Sequence, residues 1–94
     1  ENLPERPFTG IKSIYPNPAT DNFTVEIISD QTAPSIIELY NMFGERISTF
    51  TCEAGPGLKT LAIPADNLSS GIYFIKMILN NELINSRKVL VSAR

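Results

Sequence analysis

The side chains that could carry out chemistry in this 94-residue chain are few and widely spaced. The chain contains no histidine, which removes the usual general base of a serine hydrolase and the commonest metal ligand. Cys52 is the single cysteine, so the chain can build neither an internal disulfide nor a thiolate zinc site. We interpret Cys52 as a small, partly buried apolar residue rather than a reactive thiol.

The carboxylates, which are the remaining candidates for acid–base catalysis, occur singly. They include Asp21, Glu26, Asp30, Glu38, Glu45, Asp66 and Glu82. Asn17, Asp21 and Asn22 could offer oxygens to a calcium ion, but the regular ligand spacing of an EF-hand is missing, which favours turn-forming roles. Gly55-Pro56-Gly57 opens no predicted helix and is therefore not a phosphate loop. We predict a non-catalytic domain without a metal or cofactor.

The composition is that of one small globular domain, with 43% hydrophobic and 19% charged residues. The net charge of −2 and the scattered Lys and Arg residues argue against a nucleic-acid partner. No apolar run approaches the roughly 20 residues that a membrane-spanning helix needs. We expect the isolated domain to be monomeric.

The elements that must position these side chains are short strands separated by turn residues. Phe23-Thr24-Val25-Glu26-Ile27 shows the clearest alternation, with Phe23, Val25 and Ile27 on one face. The predicted strands are 11–15, 23–27, 36–40, 45–51, 58–63, a run that begins at Gly71, and a last run that ends at Val91. Seven such strands and no convincing helix predict an all-β fold, an immunoglobulin-like antiparallel β-sandwich of about seven strands.

The predicted sandwich occupies residues 11–94, and residues 1–10, with two prolines and few large apolar side chains, form a predicted linker. The residues that should be buried are Phe23, Val25, Ile27, Leu39, Ile47, Leu61, Tyr73 and Ile75. Asn80-Asn81 should form a primed hairpin turn between the last two strands. Strict pairing across this turn would place Tyr73 opposite Lys88. We prefer a register with one bulged residue, because Tyr73 and Ile75 then share a face with Val89 and Val91.

Four blocks in this order resemble one family. They are Tyr15-Pro16-Asn17-Pro18-Ala19-Thr20-Asp21-Asn22-Phe23, Leu39-Tyr40-Asn41-Met42-Phe43-Gly44-Glu45-Arg46-Ile47, Leu68-Ser69-Ser70-Gly71-Ile72-Tyr73 and Arg87-Lys88-Val89-Leu90-Val91. The chain resembles the C-terminal sorting domain of type IX secretion, found on exported proteins of the Bacteroidetes. Asn41 and Glu45 stand where aspartate and arginine are frequent, and Lys-Val-Leu-Val replaces the usual Lys-Leu-Val-Val.

The resemblance implies a folded export signal at the end of a secreted cargo, recognised by the outer-membrane translocon of the type IX system. It also implies cleavage by a sortase-like cysteine peptidase in the linker, here within about residues 1–12. The protein would cross the periplasm and then be secreted or held at the cell surface. The implied motif residues are Pro16, Asn17, Pro18, Asp21 and Gly44, and the implied recognition signal is Gly71, Tyr73, Arg87, Lys88, Val89, Leu90 and Val91.

From the residues alone, the last strand is the best candidate for recognition, because an edge strand offers unpaired backbone groups and Arg87 and Lys88 could point outward. The same residues could instead only close a sandwich. Two further alternatives remain open: an immunoglobulin-like module that binds a carbohydrate or a protein, and a structural spacer. Exposure of Tyr40, Phe43 or Phe50 would favour a sugar-binding module.

Overall fold

The computed structural model describes residues 8–92, and this part of the chain forms seven β-strands. The strands are Gly10–Tyr15 (β1), Asn22–Ser29 (β2), Ala33–Asn41 (β3), Arg46–Ala54 (β4), Gly57–Pro64 (β5), Gly71–Leu79 (β6) and Glu82–Val91 (β7). All seven predicted strands are confirmed. Within residues 8–92 there is no helix of the length and apolar character that crossing a bilayer requires.

The strands form two antiparallel sheets, ordered β1-β2-β5 and β4-β3-β6-β7. The chain changes sheet between β2 and β3 and again on either side of β5, which gives the crossed connections of an immunoglobulin-like sandwich. A constant-type immunoglobulin domain places its fourth strand in the same sheet as the first, second and fifth. Here β4 pairs with β3, because residues 42–45 form a tight turn that returns the chain to the same sheet. The predicted β-sandwich is confirmed.

The core lies between the sheets and is built from the alternating inward residues of both. Its largest fully buried side chains include Phe23, Ile11, Ile27, Ile37, Leu39, Ile63, Ile75 and Met77. Six of the eight predicted core residues are buried, and Leu61 on the edge strand β5 is half-buried. The prediction for Ile47 is wrong. The β3–β4 register shifts at this point, so Ile47 is the extra residue of a bulge and its side chain is 41% exposed.

The β6–β7 hairpin adopts the preferred register. Asn80 and Asn81 have φ angles of 55° and 67°, as the two central residues of a primed turn require. The turn contains just these two residues, since Leu79 pairs with Glu82. The strand register then shifts at a bulge between Met77 and Ile78, which brings Tyr73 opposite Val89. This bulge places Tyr73, Ile75, Val89 and Val91 on the core face.

Candidate functional site

The four sequence blocks that carry the family resemblance meet at one end of the sandwich, which we call the motif end. It consists of the 16–21 turn, the 42–45 turn, the 65–70 loop and the last residues of β7. The predicted linker joins the opposite end, where Gly10 begins β1 and pairs with Ile28. Because β2 spans eight residues, the two ends lie about 26 Å apart at the usual rise of ~3.3 Å per residue.

The 16–21 turn covers the edge of β7 at the motif end. The Leu90 N–H donates to Asn17 Oδ1 at 2.9 Å, and the Ala19 N–H donates to the Leu90 carbonyl at 2.8 Å. The Ser92 N–H donates to the Ala19 carbonyl at 2.7 Å, and Ala19 itself is fully buried. The expectation of an open edge is therefore wrong at Leu90, because these backbone groups already have partners.

The edge of β7 is open two residues before Leu90, at Lys88. Backbone groups alternate in direction along a strand, so those of Lys88 point to the same side as those of Leu90. No residue between 8 and 92 bonds to them there. The Lys88 side chain is exposed and lies opposite Phe74 on the outer face of the sheet. Lys88 is thus the point at which the predicted recognition strand can be contacted through both backbone and side chain.

Tyr73 closes the 65–70 loop onto the core. Its ring is 5% exposed, and its hydroxyl donates to the Ser69 carbonyl at 2.7 Å. A tyrosine near the start of the sixth strand that bonds to backbone a few residues upstream is the tyrosine corner of immunoglobulin-like sandwiches. The Gly71-Ile72-Tyr73 motif is therefore explained by its role in the structure of the domain. Gly71 has a φ of +157°, which side-chain-bearing residues rarely adopt, and Tyr73 fixes the loop.

The 42–45 turn is organised by the Asn41 side chain. Asn41 Oδ1 accepts hydrogen bonds from the Phe43 N–H at 2.9 Å and the Glu45 N–H at 3.0 Å. Asn41 Nδ2 donates to Glu45 Oε1 at 2.7 Å, so the two residues that depart from the usual family pattern compensate each other. Gly44 has a φ of +83°, in the region that favours glycine. The turn projects Met42 and Phe43 into solvent, and Phe43 is 81% exposed.

A groove of about 380 Å³ separates this turn from the 65–70 loop, and it is lined in part by Phe43, Ile47, Leu68 and Ile72. Residues 8–92 hold no group of three or more His, Cys, Asp or Glu side chains placed to bind a metal ion. The oxygen of Asn17 is occupied by Leu90, and the Asp21 carbonyl accepts from the Ala65 N–H at 2.8 Å. These contacts are those of turn-forming residues.

At the linker end, side chains of β7 hold β1 in place. The Ile11 N–H donates to Asn85 Oδ1 at 3.0 Å, and Asn85 Nδ2 donates to the Ile11 carbonyl at 3.4 Å. The Arg87 guanidinium donates to the Lys12 carbonyl at 2.9 Å. One strand, β7, therefore contacts the start of β1 with its first half and the 16–21 turn with its second half.

Gly71 is half-buried at the start of β6, and the structure separates the other six predicted recognition residues into three groups. Val89 and Val91 are buried in the core, and Tyr73 is buried beneath the 65–70 loop. Arg87 is turned toward β1, away from the outer face. Lys88 and Leu90 are exposed on the outer face, Leu90 by 43%, and another protein can contact them there, whereas the exposed Arg87 lies on the face toward β1.

Comparison with known proteins identifies a family, and solved structures share the fold. A family model described as a secretion system C-terminal sorting domain matches residues 13–92. The crystal structure of dimeric latent PorU from Porphyromonas gingivalis superposes with a TM-score of 0.75 at 14% sequence identity. The match covers 87% of this chain and 9% of the PorU chain, and at this identity it shows a shared fold. No curated protein sequence matches the chain.

Proposed function

Because this chain belongs to the family of secretion system C-terminal sorting domains, we propose that it is the folded export signal of a larger secreted protein. Membership of this family implies interaction with the type IX system and passage through the periplasm to the cell surface or the medium. The observation that carries the proposal is the convergence of the four family blocks at the motif end. Asn17 of the first block contacts Leu90 of the last block, although 73 positions separate them in the sequence.

The proposed mechanism is recognition without catalysis. The outer-membrane translocon would contact the motif end and the exposed part of β7 around Lys88. Folding is needed to create this surface, since the turns after β1 and β3 and the end of β7 are far apart in the chain. A linear C-terminal peptide would lack the 16–21 and 42–45 turns.

Processing would take place at the opposite end. We propose that a sortase-like cysteine peptidase cuts in the part of the 1–12 range that precedes Gly10, since 10–12 belong to β1; residues 1–7 lie outside the described part of the chain. The separation of about 26 Å between the ends, estimated from the strand rise, would let translocon and peptidase engage the domain at the same time. The cargo would then be released or attached to the surface.

A fusion experiment tests the export role. A signal peptide and a fluorescent protein are placed before this domain in a bacterium that has the type IX system. The intact fusion should reach the cell surface or medium, and removal of residues 87–94 should trap it in the periplasm. An intact fusion that stays in the periplasm, or a truncated one that is exported equally well, would contradict the proposal.

The exposure of Phe43 favours one alternative, a module that binds a carbohydrate. Sugars stack on exposed aromatic rings, and Phe43 stands at the rim of the motif-end groove. Tyr40 and Phe50 are half-buried and offer less ring surface. Titration of the domain with oligosaccharides would distinguish the two functions: saturable binding that is lost in Phe43→Ala, with export unaffected, would support the module.

A further inference from the structure

The outer face of the β4-β3-β6-β7 sheet carries a row of cationic and aromatic side chains across all four strands. Arg46 pairs with Tyr40, Tyr40 with Phe74, and Phe74 with Lys88. Paired residues of adjacent strands point to the same face of a sheet, so these four side chains share one surface. We call this row, with Lys76 beside it, the outer patch.

Contacts within the outer patch fix its shape. Glu38, which is 8% exposed, accepts from the Tyr40 hydroxyl at 2.7 Å and from Arg46 Nη1 at 3.1 Å. The Lys76 ammonium lies 4.2 Å from the centre of the Tyr40 ring, within the range of a cation–π contact. Tyr40, Arg46 and Lys76 are therefore held in position before any partner arrives.

The charge of the outer patch is opposite to that of the whole chain. The chain has a net charge of −2, whereas the patch combines Arg46, Lys76 and Lys88 with the single carboxylate of Glu38. Glu53, the other strand carboxylate on this face, pairs with Pro34 at the far end of β3. Among the described residues Lys88 forms no ion pair. The patch is left with unbalanced positive charge.

We propose that the outer patch is the docking surface for a carboxylate-rich face of a protein in the export machinery, an inference that rests on the proposed function. A protein face is favoured over a phosphate group because Arg46 and Lys88 stand three strand spacings apart, roughly 14 Å, and do not converge on one anion. Exposed Phe74 and Leu90 lie among the cations. Aromatic residues and arginine surrounded by polar groups are typical of protein interfaces.

Photo-crosslinking in cells tests the inference. A benzoyl-phenylalanine is placed at Phe74, and, as the matched control, at the exposed Ala62 on the outer face of the other sheet. In the exported fluorescent fusion, the probe at position 74 should form an adduct with an outer-membrane protein, and the probe at 62 should not. The adduct should map by mass spectrometry to a segment rich in Asp and Glu.

Reversal of the charge at Lys88 tests whether the contact between the outer patch and its partner is electrostatic. Lys88→Glu should lower the adduct yield several-fold while the thermal midpoint of the domain stays unchanged, and Lys88→Arg should retain it. Lys59→Glu, the same charge change at an exposed residue of β5, should have no effect. Exchange of a partner carboxylate for lysine should restore the yield with Lys88→Glu.

The outcomes of these experiments distinguish the docking inference from the proposed export role. An exported fusion that gives no protein adduct at position 74, or one with lipopolysaccharide instead of protein, overturns the docking inference and leaves the export role standing. Equal yields from Lys88→Glu and wild type also overturn it. A wild-type fusion that remains in the periplasm overturns both.

Discussion

Asn17 Oδ1 accepts a hydrogen bond from the backbone N–H of Leu90 at 2.9 Å, and this contact joins the first and last family blocks across 73 residues. The Asn17 side chain thereby occupies an edge group that would otherwise be free to pair with another strand. The proline-asparagine-proline sequence is thus a cap for the terminal strand, and the edge stays open at Lys88.

Loss of this cap should destabilise the domain moderately. Asn17→Ala removes a hydrogen bond whose net contribution is about 1 kcal/mol, so the free energy of unfolding should fall by that amount. Amide exchange at Leu90 and Ser92 should accelerate. Thr20→Ala, at an exposed position of the same turn, serves as the control and should leave both quantities unchanged. Unaltered exchange at Leu90 in Asn17→Ala would contradict the capping role.

The tyrosine corner should have two separable contributions. Tyr73→Ala removes a buried ring and should reduce the free energy of unfolding by about 3–5 kcal/mol. Tyr73→Phe keeps the ring and loses the bond to the Ser69 carbonyl, which should cost about 1 kcal/mol. Denaturant unfolding of both variants measures the difference. Equal losses would mean that the hydroxyl, and not the ring, holds the loop.

Gly55 should tolerate a side chain less well than Gly57. A Cβ at Gly55 would clash with the Gln31 carbonyl oxygen, whereas a Cβ at Gly57 would have nothing within 4 Å. Both have positive φ, so Gly57→Ala should cost about 1–2 kcal/mol from backbone strain alone. Gly55→Ala should cost clearly more, because the 29–31 backbone must also shift. Similar melting temperatures for the two variants would argue against this close approach.

Glu26 should contribute a pH-dependent part of the stability. The Ser13 hydroxyl, the largest cause, lowers the pKa of Glu26, with help from Tyr15 and Lys12 and against a smaller effect of burial. A carboxyl whose pKa is lowered by folding stabilises the protein above its unfolded-state pKa, about 4.3. The contribution disappears as the pH falls through the lower folded-state value.

Measured by denaturant unfolding, Glu26→Gln should therefore be less stable than wild type at pH 7, and the two should converge in acid. Ser13→Ala, which removes the main donor, should reproduce most of this behaviour. A stability difference of the same size at pH 7 and at pH 3 would show that the effect of Glu26→Gln has another origin.

The sequence predicted the strands well because each is defined by local signals: alternation in 23–27, glycine and asparagine turns, and prolines that end a ladder. It also predicted the bulged hairpin, since only that register buries Tyr73 with Val89. The predicted third strand, 36–40, starts three residues too late, since β3 begins at Ala33. Pro34 misled here, because proline is usually excluded from strand interiors.

The features that were missed depend on distant contacts. Nothing near Ile47 in the chain signals the bulge that turns it outward. The cap on Leu90 requires two segments that are 73 residues apart in the sequence. The tyrosine corner could have been predicted, since a tyrosine near the start of the sixth strand of such a sandwich is its signature position.

The most direct test of the central claim, that a folded domain is recognised as an export signal through its last strand, is the exported fraction of the Lys88→Glu fusion. Lys88 is exposed, so the substitution should change the free energy of unfolding by less than about 0.5 kcal/mol. Protease accessibility of the fluorescent protein on intact cells should nevertheless show export several-fold below wild type, with Lys59→Glu unaffected. Normal export of a folded Lys88→Glu fusion would contradict the account.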